Sequence, residues 1–121
     1  MTPAARSVRL FGIYLLLLGV ALLVAPNVLL TSFGLAPTEE VWIRVVGMVT
    51  AFLGVYYRVA AAAELRPLFY ATVLLRASVP VFFLIFVLAG WVGSTLLLFG
   101  IVDLVGALWT WTALKQSGAA A

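Results

Sequence analysis

Four long apolar runs, about 8–30, 41–61, 67–88 and 94–114, dominate this chain of 121 residues. Each approaches the ~20 apolar residues that carry an α-helix through a bilayer. Inside hydrocarbon, every backbone N–H and C=O needs a partner from the protein itself, so such runs fold as spanning helices. Composition agrees, with 66% of residues hydrophobic, 9% charged and a mean hydropathy of +1.27. A water-soluble domain of this length needs far more polar surface. The expected architecture is all-α, a transmembrane four-helix up-down-up-down bundle forming a single domain over 1–121.

The connections are short. Arg6 and Arg9 precede the first run, which is expected to stay as a retained helix because it is longer than the core of a signal peptide. Pro26 falls near its far end. A polar loop follows over 31–40, with Gly34 and Pro37. Thr38 is the expected N-cap of the second helix, with Glu39 and Glu40 at its positive end. Glu64 to Pro67 make the next turn, and proline suits the first turn of the third helix. Gly90, Trp91 and Gly93 form a tight uncharged turn, with Ser94 or Thr95 as the cap of the fourth helix. The tail from Lys115 to Ala121 is expected to fray.

Basic residues fall to one side. Arg6, Arg9, Arg58, Arg66 and Lys115 share it, whereas Glu39 and Glu40 lie on the other. The positive-inside rule then places both termini in the cytoplasm, and the expected location is a bacterial inner membrane. Trp42 and Trp91 mark the outer interface. Tyr14, Tyr56, Tyr57, Tyr70, Trp109 and Trp111 lie toward the inner one. The net charge of +3 comes from these flanking residues and forms no nucleic-acid patch. There is no Cys, so thiolate metal sites, disulfides and thiol nucleophiles are out of reach. There is no His, which removes the commonest metal ligand and proton shuttle. No cofactor and no catalytic group is expected.

The informative residues are charges inside the spans. Arg76 and Asp103 each fall near mid-membrane, where an unpaired charge costs roughly 2.5–3.5 kcal/mol. Counted from the turn at Trp91, Arg76 is about three residues deeper than Asp103, an offset of about 4.5 Å. A salt bridge between them is feasible. Pro80 denies an amide partner to the Arg76 carbonyl and predicts a kink there, with Thr72 and Ser78 nearby. Two roles are open to the pair: a polar site or ion path, or a structural tie between helices. Arg44, one turn inside the second span, either reaches Asp103, adds a cationic surplus that attracts an anionic head group, or snorkels to the interface.

Small residues form stripes. Gly47, Ala51 and Gly54 lie between Arg44 and Arg58 on one face of the second helix, and Gly100 and Ala107 flank Asp103 on the fourth. Such stripes let helices approach closely, within the bundle or toward a partner helix. Arg9-x-x-Gly12 with Gly19 is echoed 35 residues later by Arg44-x-x-Gly47 with Gly54, by coincidence, as a shared packing solution or as an inverted repeat.

Those two motifs, the Ala25-Pro26 break, Tyr56-Tyr57 and Asp103 resemble a group of small bacterial four-helix membrane proteins called BphX-like. The resemblance spans the chain, implies a four-helix inner-membrane protein, and supplies no substrate or catalytic residue. For function two classes are expected. One is a non-catalytic accessory or structural subunit, packing in the lipid bilayer against other membrane subunits or as a homo-oligomer. The other is a small homo-oligomeric transporter or channel with Arg76 and Asp103 in its path.

Overall fold

The computed structural model describes the backbone of residues 1–120 and the side chains of residues 1–116. Five helices account for most of it: α1 (Pro3–Val24), α2 (Pro26–Ser32), α3 (Trp42–Ala62), α4 (Arg66–Leu88) and α5 (Leu96–Ala120). Four of them, Pro3–Val24, Trp42–Ala62, Arg66–Leu88 and Leu96–Gln116, are long and apolar enough to cross a membrane. No strand occurs among the described residues. The chain divides into two compact units, Met1–Val8 with Ala60–Ala121, and Arg9–Val59.

In the second unit, α1 and α3 run antiparallel at close range. A Cβ on Gly12 would stand 2.9 Å from the Gly54 carbonyl, and one on Gly54 2.6 Å from the Gly12 carbonyl. Gly19 and Gly47 repeat the relation, at 2.6 and 2.7 Å from each other's carbonyls. Real side chains do not tolerate such distances, so these four positions demand glycine. The two pairs are exchanged by the 35-residue offset, since Gly12 maps to Gly47 and Gly19 to Gly54. The sequence echo is therefore a reciprocal packing motif with local two-fold character. Phe11 closes one end of this seam, its ring 6.0 Å from that of Tyr57.

The first apolar run does not continue to Leu30 as one helix. It breaks at Ala25, and Pro26 opens the separate short helix α2. Proline has no N–H to give the Leu22 carbonyl and its ring clashes with that carbonyl, so the ladder stops there. Gly34, at φ +71°, closes α2 with a Schellman motif in which Leu35 N–H reaches the Leu30 carbonyl at 2.8 Å. Thr38 does not cap α3, which starts at Trp42. Its hydroxyl instead accepts the Glu40 N–H, a local turn that competes with helix entry.

In the first unit α4 and α5 pack antiparallel around Pro80 and Gly100. A Cβ on Gly100 would lie 3.1 Å from Pro80 Cα. Their connection is another Schellman motif: Gly90 takes φ +79°, Trp91 N–H bonds the Phe86 carbonyl at 3.0 Å, and the two rings stack 5.8 Å apart. The first turn of α5 is closed by backbone bonds from Leu97 to Ser94 and from Leu98 to Thr95. The helix runs on through Lys115 and Gln116, where fraying is expected from sequence. The rest of that expected tail lies outside the residues with described side chains.

Candidate functional site

The deepest part of the first unit is polar. Ser7, Thr72, Arg76 and Thr110 are all buried there, beside Val8, Phe69 and Leu114. Arg76 extends back along its own helix, as long side chains on helices do. Its Nε donates to the Thr72 carbonyl at 3.2 Å and its Nη2 to the Thr72 hydroxyl at 3.1 Å. The same Nη2 donates across to the Thr110 hydroxyl of α5 at 2.9 Å.

The chain of bonds goes further. Thr110 Oγ1 and Ser7 Oγ lie 2.7 Å apart, and Ser7 also bonds the Ala4 carbonyl at 2.7 Å. Each hydroxyl has one hydrogen to give. Thr110 thus accepts from Arg76 and donates to Ser7, and Ser7 donates to Ala4. Thr72 likewise donates to the Phe69 carbonyl at 2.8 Å. One guanidinium in this way ties the start of α1 to α4 and α5 through three hydroxyls, in surroundings where each bond counts for more than in water.

Asp103 stands apart from this chain. It is half-exposed on α5, and the Arg76 charge acts on it through space, yet the hydrogen bonds of Arg76 go to Thr72 and Thr110. The feasible salt bridge is replaced by hydroxyl contacts for a geometric reason. Asp103 lies toward the turn that joins α4 and α5, whereas the arginine side chain leans the opposite way. Thr110 is two turns beyond Asp103, about 10 Å along the helix axis. Among the described residues, no hydrogen bond reaches the Asp103 carboxylate.

Arg44 belongs to the other unit. Its Nη1 donates to the Leu23 carbonyl and, at 3.2 Å, to the Val24 carbonyl. These are acceptors that the Pro26 break leaves without amide partners, and a cation suits the negative end of a helix. Gly47, Ala51 and Gly54 all face α1, with Ala51 against Gly19. Gly100 is taken up by Pro80, and Ala107 is buried within the first unit.

One contact has no precursor in the sequence reading. Glu64, in the left-handed region at φ +53°, accepts the Thr2 N–H and the Thr2 hydroxyl, both at 2.8 Å. The Thr2 hydroxyl in turn accepts the Ala5 N–H at 3.1 Å, so Thr2 caps α1 and Glu64 completes the cap. These bonds, the backbone one foremost, hold the Glu64 carboxyl below its ordinary value.

No protein-family model, curated protein or solved structure matches this chain. Among the described residues, no three Asp, Glu, His or Cys side chains gather into a group able to hold a metal ion. The charged groups that stand out among the described residues are the buried Arg76 guanidinium, the half-buried Asp103 carboxylate and the exposed Arg44 at the end of α1.

Proposed function

We propose that this chain is a non-catalytic accessory or structural subunit, packed in the bilayer against a larger membrane complex or against copies of itself. The observation that carries this reading is Asp103. Its carboxylate is half-exposed midway along an apolar helix and receives no hydrogen bond from the described residues. A charge facing lipid there costs roughly 2.5–3.5 kcal/mol, and a donor on a neighbouring subunit offsets that cost. Arg76 is engaged by Thr72 and Thr110, and the glycines of α1 and α3 are engaged by each other. Asp103 is thus a polar group whose surroundings a partner would complete.

The basic residues that flank the spans support a bacterial inner-membrane protein with both termini in the cytoplasm. The BphX-like resemblance belongs to the same proposal. A second reading, a homo-oligomeric transporter or channel, draws on the fact that Arg76 and Asp103 share one unit and interact through space.

A photo-crosslinking residue at Val102, next to Asp103, tests the proposal in intact cells. Cross-links to a distinct membrane protein, or to a second copy, are expected. Labelling of lipid alone would contradict it. Should only self-cross-links form, flux through vesicles containing Asp103→Asn protein decides between a structural oligomer and a pore.

A further inference from the structure

The break at Ala25 creates more than a helix end. Where α1 stops and α3 starts, a cleft of about 260 Å³ is lined by Pro26, Asn27, Thr38, Glu39, Glu40 and Arg44, with Ile43. Every one of these residues lies in the second unit. The cleft sits at the ends of two membrane spans, and the indole of Trp42 beside it is exposed, as interfacial tryptophans are. That is the depth of lipid head groups.

Its chemistry is specific. Both hydrogens of Arg44 Nη1 are given to the Leu23 and Val24 carbonyls, which fixes the guanidinium. The Nε and Nη2 hydrogens remain as a parallel pair, the edge that meets a phosphate with two bonds. Asn27 uses its side-chain oxygen to accept the Thr38 N–H at 2.8 Å, so its amide nitrogen is left as a further donor. Glu39 and Glu40 line the same cleft and bring two carboxylates to it. Donors for an anion and acceptors for a cation within one small cleft match the two charges of a zwitterion. At about 260 Å³ the cleft is smaller than the ~300–1,000 Å³ typical of pockets for larger organic ligands, which suits a head group.

We propose that this cleft binds the phosphoethanolamine head group of a membrane lipid, with the phosphate on Arg44 and Asn27 and the primary ammonium on Glu39 and Glu40. A primary ammonium has three hydrogens to donate. The quaternary ammonium of a choline lipid has none, and a glycerol head group carries no cation at all. The membrane is the favoured source because the cleft opens at head-group depth. Soluble phosphoethanolamine carries the same chemistry without the acyl chains.

The test is native mass spectrometry of the full chain in detergent, with phosphatidylethanolamine, phosphatidylcholine and phosphatidylglycerol at equal concentration. The ethanolamine lipid is expected to be retained over the other two by about fivefold or more. Glu39→Gln with Glu40→Gln, both exposed, should reduce ethanolamine-lipid retention to the choline-lipid level. Arg44→Lys keeps a cation for the α1 carbonyls but loses the paired edge, and should lower retention of all three lipids. A thermal melt of that variant shows that the fold is intact. Equal retention of the three lipids, or no response to the glutamine pair, would overturn the proposal. Binding of soluble phosphoethanolamine without binding of its lipid would overturn the lipid source.

Discussion

Arg76 Nη2 donates to the Thr110 hydroxyl at 2.9 Å, and this one bond couples α4 to α5 with both residues buried. Thr110 passes the connection on to Ser7 at the start of α1. A valine at position 110 keeps the shape and removes both bonds. Thr110→Val is expected to cost about 1–3 kcal/mol, because it leaves one hydrogen of a buried charged donor without its acceptor, while Ser7 keeps its bond to Ala4 and Arg76 its bonds to Thr72. Thr110→Ser should recover most of the loss. Unfolding in mixed detergent micelles measures both, and equal stability of the valine and serine variants would contradict the network.

The glycine seam makes a steric prediction. A methyl group on Gly47 would stand 2.6 Å from Leu23 N and 2.7 Å from the Gly19 carbonyl, both backbone atoms that cannot swing aside. Gly47→Ala and Gly19→Ala should each separate α1 from α3 and cost about 1–3 kcal/mol. Gly100→Ala meets Pro80 Cα at 3.1 Å and should cost less. A reversed order of these costs would rule out the seam as the tightest contact.

Which parts of this were legible in the sequence follows from the physics of each signal. The spanning helices were legible because apolar length registers directly in composition. The 35-residue echo was visible too, but its meaning required the carbonyl contacts of Gly12 with Gly54 and of Gly19 with Gly47. The Arg76–Asp103 pairing rested on the depths of Cα atoms, whereas the lean of an arginine toward its own helix N-terminus decides which partner it meets. Thr110 and Ser7 gave no signal, since hydroxyl residues are ordinary in membrane helices and only the fold brings residues 103 positions apart together. Glu64 read as a turn residue, with nothing to mark Thr2 as its partner.

Glu64 predicts a pH dependence. Its carboxyl is held below the ordinary 4.5 by the Thr2 N–H and then by the Thr2 hydroxyl. A depressed folded-state value means that the fold favours the ionised form. Its contribution is complete above the unfolded-state value and is lost as the pH falls through the lower, folded one. The melting temperature of the wild type should therefore carry an acid-limb decrease that Glu64→Gln reduces. Identical acid limbs for the two proteins would refute the role of this cap.

Arg44 predicts a local effect. Its two bonds to the Leu23 and Val24 carbonyls hold the end of α1 where Pro26 interrupts it. Arg44→Ala should cost about 1–3 kcal/mol and raise amide hydrogen exchange in the last turn of α1 and in α2. Faster exchange confined to α4 and α5 would contradict this placement.

A chain that works as a subunit rather than alone keeps its partners when it leaves the membrane. The most direct test is native mass spectrometry of the protein released gently from its own membranes. Reproducible co-purification with a larger membrane complex, or a defined homo-oligomer without flux activity, is the expected result. In either case the assembly should be lost in Asp103→Leu while the monomer stays folded. A monomer with no partner, or an assembly indifferent to Asp103, would contradict the subunit role.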